Sequence, residues 1–428
     1  MRIDNSFSAL GQIQAINWLY EYLKNPQKAS EVRVGRIGKP VSNGREHSRA
    51  LRLQVGAIRN LQLLRHILQN LCRKKVRVRL ESLLLLGLFE LMEEQQKENP
   101  RTPAVVHSWV ETGKVVFSKQ ESRFINAILR KGSTELEQIL TGNSTLPPAI
   151  RYSHPDWLVA RWVEAWGEKD TLSFLKWNQG TPGIYLRAHP DYKENLPPEL
   201  EETQWDHFYQ HRGSFSPETR KLLEEGFLTV QDPATRFAVE ALAGRPVSSV
   251  LELCASPGGK TRYLDTLLPK RVSLTAVDLP HRITLLKENL SYCERPISLI
   301  ETDLLNPDSD RQNWQNRFDA VLLDAPCSNT GVLQRKPDVK WRLQPEDLTR
   351  LTAMQAKLLE NASHWVAPGG YLVYSTCSVE AEENQNQTTA FLQTTGGQLF
   401  SLISSTVVFP HQAGHDGAGV AVLQKSTN

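Results

Sequence analysis

The chain has 428 residues, 40% of them apolar, which is too long for one ordinary core and apolar enough to build two or three. No stretch offers the roughly eighteen uncharged apolar residues of a membrane span, MRIDNSFSAL lacks the apolar run of a signal peptide, and five scattered cysteines without a C-x-x-C pair argue against a disulfide framework and a structural zinc site. A soluble, cytoplasmic protein without metal is expected, and its net charge of +3 divides unevenly: residues 1–150 hold 23 Lys+Arg against 13 Asp+Glu and the rest 27 against 34, so a basic half precedes an acidic one and nucleic acid is the leading partner.

Residues 1–145 read as a helical domain. Leu51, Leu53, Val55, Ile58, Leu61, Leu64, Ile67 and Leu71 recur at spacings of two to four, which fits one long helix or two with a break, and ESLLLLGLFELMEE and ESRFINAILRK extend the pattern. Between them lies RKKVRVRL, where Arg73, Lys74, Lys75, Arg77 and Arg79 crowd together as either a solvated loop or a phosphate-binding surface. Residues 146–240, including HPDWLVARWVEAWG and NQGTPGIYLRAHP, show no clear period and read as a small mixed linker domain.

Residues 241–428 alternate strand, turn and helix. Strands are predicted at SVLELC, VSLTAVD, ISLIETD, FDAVLLD and YLVYST, with helices such as RITLLKENLSYC between them, which makes a doubly wound α/β domain whose ligands bind at the carboxyl ends of the strands. The first strand runs into Cys254-Ala255-Ser256-Pro257-Gly258-Gly259-Lys260, where the glycines let backbone approach a ligand and the proline stiffens the turn. GGKT mimics the end of a P-loop, but Cys254 stands where that loop needs its first glycine, and no G-x-G-x-x-G is present. Asp278, Asp303 and Asp324 end the next three strands. Such a rim repels polyphosphate and suits a nucleoside with a cationic, amine-bearing tail, so S-adenosylmethionine fits, with Asp278 placed for ribose hydroxyls.

The fourth and fifth strands bring Cys327 of DAPCSNTG and Cys377 of YSTCS to the same edge. If those strands are neighbours, the thiols lie about 5 Å apart and flank one pocket. Two thiols beside a methyl donor point to covalent chemistry on an electron-poor ring. Addition of a thiolate to C6 of a pyrimidine makes C5 enamine-like, and a base must then remove the C5 proton. One cysteine adds, the other is or positions the base, and Asp324 holds ring N3 as charge develops there. Methylation of an exocyclic amine is the chemical alternative; a non-catalytic RNA-binding module is the alternative that the basic half alone suggests.

CASPGGK, AVD, DAPCSNTG, RKPDVKW and YSTCS resemble the successive motifs of the Sun/Fmu family of RNA cytosine-C5 methyltransferases, especially bacterial enzymes acting on small-subunit ribosomal RNA. VHSWVETGK and RFINAILRK resemble a NusB-like RNA-binding domain, and GFLTVQDPAT the start of the catalytic domain. The resemblance implies an all-α NusB-like domain followed by a Rossmann-like methyltransferase domain that forms 5-methylcytosine in 16S ribosomal RNA, with transfer RNA as the alternative substrate. It implies Cys377 as the C6 nucleophile and Cys327 as the residue assisting release. Cys254 to Lys260, Asp278, Asp303 and Asp324 would hold S-adenosylmethionine, and Lys260 would also reach the target base. Arg335 and Lys336 join the Arg73–Arg79 cluster as expected RNA contacts, in a protein expected to be a monomer. Ser256 and Asn329 depart from the family's usual alanine and glycine, and HDGAGVAVLQK lacks the usual aromatic pair of the last hairpin.

Overall fold

The computed structural model describes residues 6–26, 44–72, 74–141, 146–192, 195–306 and 314–427. They form two compact units, residues 1–180 with 336–342, and residues 181–335 with 343–428. Among the described residues no helix is long and apolar enough to cross a membrane.

The first unit is helical: α1 (Ser6–Lys24), α2 (Gly44–Arg59), α3 (Leu61–Leu71), α4 (Val78–Gln95), α5 (Thr102–Val116), α6 (Lys119–Thr141), α7 (Pro148–Arg151) and α8 (Asp156–Gln179). The apolar run around Leu51–Leu71 is two helices broken at Asn60, whose side chain donates to Gly56 O at 2.9 Å. Helix α4 is apolar on nearly every side, with Leu83, Leu84, Leu85, Leu86 and Leu88 all buried, so it is the central helix around which the core forms. Helix α8 occupies sequence that shows no clear period. Gly167, at φ 79°, interrupts it, so the two halves of the helix place their apolar residues in different phase, and Leu158, Trp162, Phe174 and Leu175 are buried from both sides of the break.

The second unit holds two sheets. Within the stretch expected to be a linker, β1 (Ile184–Ala188), β2 (Leu200–Glu202), β3 (Phe208–His211) and β4 (Leu228–Val230) make a small antiparallel sheet in the order β2-β3-β1-β4. Two of its strands are only three residues long, too short to show alternation. The large sheet contains β5 (Ser249–Leu253), β6 (Ser273–Asp278), β7 (Ile297–Glu301), β8 (Phe318–Asp324), β9 (Val366–Thr376), β10 (Phe400–Val408) and β11 (Ala418–Lys425), in the order β10-β11-β9-β8-β5-β6-β7. Strands β5 to β9 run parallel and are the five predicted ones; β11 runs antiparallel between β9 and β10. Helices α9 (Pro217–Glu224), α10 (Arg236–Glu240), α11 (Gly259–Leu267) and α12 (Ile283–Leu290) precede β8. Then come α13 (Val339–Arg342), α14 (Pro345–Trp365), α15 (Gln385–Leu392) and α16 (Pro410–Ala413). Because β5 has β6 on one side and β8 on the other, the strand order reverses there, and sheets of this kind take their ligands at the carboxyl ends of such a pair.

Helix α13 belongs to the first unit. Lys340 Nζ donates to Arg59 O at 3.0 Å and Trp341 Nε1 to Ile58 O at 2.8 Å, so the segment satisfies two carbonyls that the end of α2 leaves open. Burial pushes the Lys340 ammonium well below its ordinary pKa.

Candidate active site

The turn after β5 is built on left-handed residues. Cys254 sits at φ 58° and Gly258 at φ 100°, where it opens α11; a Cβ on Gly258 would stand 3.0 Å from Leu286 Cδ1. Asp278, buried at the end of β6, accepts hydrogen bonds from Ser256 N and Leu279 N, both at 2.7 Å. It therefore folds the turn, and a carboxylate with about four acceptor sites keeps capacity for a ligand. Asp303 lies exposed beyond β7, accepting from Leu305 N and Asn306 Nδ2, each at 3.0 Å. Asp324 at the tip of β8 accepts from Lys260 Nζ at 2.6 Å and Ser375 Oγ at 3.1 Å. Burial opposes the charge on Lys260, but the Asp324 carboxylate, which also accepts its hydrogen bond, outweighs it and holds the ammonium above its ordinary pKa.

Strands β8 and β9 are neighbours, with Asp324 opposite Ser375, so the two cysteine loops leave the sheet side by side. The sulfurs of Cys327 and Cys377 are 3.3 Å apart, closer than the strand spacing because both side chains converge. Cys377 Sγ donates to Asn329 Oδ1 at 3.4 Å, and Asn329 Nδ2 donates to Cys327 O at 2.7 Å. Asn329 has φ 62°, a conformation that asparagine tolerates better than most residues. Gly331 N donates to Cys377 O at 3.0 Å, and a Cβ there would stand 2.8 Å from that oxygen.

A buried polar network supports both loops. Glu383 accepts from Ser328 N at 2.8 Å, from Gln355 Nε2 at 2.9 Å and from Ser328 Oγ, while Ser328, Thr330 and Ser378 join through their hydroxyls. These hydrogen bonds fix the loop geometry, because buried polar groups are costly to leave unpaired, and only the Gln355 carbonyl oxygen in the network lacks a partner. The neighbouring Cys377 sulfur, and after it burial, pushes the Cys327 thiol well above its ordinary pKa. The surroundings of the other sulfur differ, since Cys377 lies within electrostatic reach of the Lys260 ammonium.

Sequence reasoning missed three supports. Glu252 lies inside β5, where burial raises its pKa to about 8 and one carboxyl oxygen has no hydrogen-bond partner. A lone acid within the apolar SVLELC was the available signal. Glu383 and Gln355 come from helical sequence with nothing local to mark them. The expected RNA contacts fare unevenly. Arg335 Nε donates to Asp416 Oδ2 at 2.7 Å and Nη2 to Asp232 Oδ2 at 2.6 Å, so its guanidinium is committed to two carboxylates and ties RKPD to QDPAT and HDG. Asp416 thereby anchors the start of the atypical C-terminal segment, and Ala418–Lys425 is paired on both edges. Arg77 pairs with Glu121 at 2.6 Å, and Arg79 donates to Asn17 Oδ1 at 3.3 Å. Lys74, Lys75 and Lys336 are exposed, and Arg73 lies outside the described residues.

A parallel-cored sheet with a glycine turn, Asp278 and Asp324 at strand ends and Asp303 two residues past the end of β7, where the sequence pattern predicts it to end the strand, defines a Rossmann-like methyltransferase, whose methyl donor is S-adenosylmethionine. The carboxylate-rich rim fits the cationic sulfonium and amine of that donor. The family described as 16S rRNA methyltransferase RsmB/F matches residues 239–423, and the NusB family matches residues 11–133. The probable ribosomal RNA small subunit methyltransferase B of Bacillus subtilis is 30% identical over 80% of this chain and 78% of its own. Ribosomal RNA small subunit methyltransferase B of Proteus mirabilis is 32% identical over 79% of this chain and 81% of its own. The chain belongs to the ribosomal RNA small subunit methyltransferase B family. The crystal structure of PH0851 shares the fold at a TM-score of 0.74 and 21% identity, covering 99% of this chain and 100% of that one. A methyltransferase homolog protein from Pyrococcus horikoshii does so at 0.56 and 22%, covering 66% and 99%.

Proposed function

We propose that the protein forms 5-methylcytosine in 16S ribosomal RNA, with Cys377 bonded transiently to C6 of the target base. The observation that carries this reading is the thiol pair at 3.3 Å with unequal surroundings. The names of the curated relatives support the ribosomal substrate.

S-adenosylmethionine supplies an electrophilic methyl group; everything else falls to the chain's own groups. The Cys377 thiol gives up its proton to solvent and its sulfur donates an electron pair to C6, with the Lys260 ammonium within electrostatic reach of the developing charge, while N3 takes a proton from the Lys260–Asp324 pair. C5 is then nucleophilic and becomes methylated. Once Cys377 is a thioether it no longer raises the pKa of Cys327, which releases its own proton to solvent and, as a thiolate, accepts the C5 proton. The C6–S bond breaks, its electrons return to Cys377, and N3 gives back its proton. The two cysteines thus act in sequence, because the pKa of one depends on the state of the other.

Mapping 5-methylcytosine in 16S ribosomal RNA from cells with and without the gene tests the reading; an identical map in both overturns it. The cofactor assignment is tested separately. Asp278→Ala should weaken S-adenosylmethionine binding by on the order of tenfold to a hundredfold in calorimetry, the worth of a charge-assisted hydrogen bond. Unchanged affinity would place the donor elsewhere on the edge.

A further inference from the structure

We propose that the groove between α5 and α6 is a docking track for one strand of the RNA substrate, held through its phosphates; the inference rests on the function proposed above and locates part of its binding surface. The groove has a volume of about 910 Å³. Pro103, Val106 and Val110 of α5 contribute apolar surface, and Lys119, Arg123 and Arg130 of α6 contribute charge.

Three observations favour a polyanion there. The cations follow the repeat of one helix face, Lys119, Arg123 and Arg130, with Asn126 and Ser133 on the same stripe. Along the helix they lie about 6 and about 10.5 Å apart, so the charge extends over roughly 16 Å, longer than any single small anion. None of the three forms an ion pair with a carboxylate among the described residues, and the one acid lining the groove, Glu111, is held by Lys114 at 2.6 Å. Arg77 in the RKKVRVR cluster is instead neutralised by Glu121 and lies over the Phe117 ring, and Arg79 is held by Asn17. Counterion release rewards cations that the protein has not already paired, so the α6 stripe should attract phosphate more strongly than those two arginines. No Phe, Tyr or Trp lines the groove and His107 is its one aromatic ring, so bases find little stacking surface; Asn126 offers a neutral amide to phosphate or 2′-hydroxyl, whereas the Ser122 and Ser133 hydroxyls already donate to Ser118 O and Arg130 O. That chemistry reads a sugar–phosphate backbone and not a sequence.

The test uses the full chain and unmodified 16S ribosomal RNA transcribed in vitro, with affinity measured by filter binding across a potassium chloride series. The triple variant Lys119→Gln/Arg123→Gln/Arg130→Gln should flatten the log–log salt dependence by about 2, or about 0.7 for each phosphate no longer neutralised, and weaken binding at low salt at least tenfold. Because all three side chains are exposed, the variant should keep the wild-type circular dichroism. A control with equal charge loss at exposed Lys97, Lys169 and Lys176 should keep the wild-type slope. An unchanged slope in the groove variant, or an equal change in the control, overturns the track and leaves the groove to an acidic protein or to solvent. If the wild type binds with the expected slope but never methylates the RNA, the enzymatic reading fails while the track stands. If it methylates and the groove variant binds as wild type, the reverse holds.

Discussion

Cys377→Ala is expected to lose turnover by on the order of 10⁴-fold or more and to form no covalent product, whereas Cys327→Ala is expected to methylate once and stall as a protein–RNA adduct that survives denaturant. The opposite phenotypes follow from the unequal surroundings of two sulfurs only 3.3 Å apart. Cys377 has the Lys260 ammonium within electrostatic reach, which suits its sulfur to carrying charge during attack on C6. Cys327, whose thiol the neighbouring sulfur and burial hold above its ordinary pKa, is in the proposed sequence the base that removes the C5 proton afterwards. Without Cys327 the methylated adduct keeps that proton and the C6–S bond cannot break. A denaturing gel of each variant with 16S ribosomal RNA and S-adenosylmethionine separates the cases. An adduct from Cys377→Ala and none from Cys327→Ala would exchange the two roles. No adduct from either would remove the covalent step altogether.

Arg295→Met is expected to lower the stability of the protein by about 3–5 kcal/mol, because it strands a buried carboxylate. Arg295 and Asp265 are almost wholly buried, at 5% and 2% side-chain exposure, and meet at 2.7 Å. The guanidinium also donates to the carbonyls of Asp265, Leu268, Pro269 and Val272 at 2.6 to 3.0 Å, so it closes the end of α11 whose other end carries Gly258 and Lys260. For a unit of this size the loss corresponds to a fall in Tm of roughly 6–20 °C, measurable by differential scanning calorimetry. Asp265→Leu/Arg295→Leu should recover part of that loss, since it removes both charges together. A shift below about 2 °C for Arg295→Met would show that the pair contributes little.

The parts of the site legible in the sequence are those that a strand delivers directly. Short apolar runs ending in Asp278, Asp324, Cys327 and Cys377 place their tips on one edge whatever the details of the loops, because parallel strands align their carboxyl ends. The close approach of the sulfurs was not legible, since it depends on how two loops bend toward each other. Nor was the role of Arg335, whose partners lie 81 and 103 positions away and are brought to it only by folding. In α8 the break at Gly167 hid an ordinary helix by resetting its phase, and in β10, where most residues are exposed, no buried face imposes alternation.

The segment 336–342 has a further consequence, for the order of events during synthesis. The helical unit needs Lys340 and Trp341 to close the end of α2, yet these residues are made about 160 residues after Gly180. At 5–20 residues per second the ribosome takes on the order of 10–30 s to reach them. During that interval the nascent helical unit lacks one of its own pieces, with the carbonyl of Ile58 open to water and that of Arg59 held by Gln179 alone, and it is completed only when much of the catalytic sheet has already emerged. A gene fragment ending at residue 180 would leave it permanently in that unfinished state.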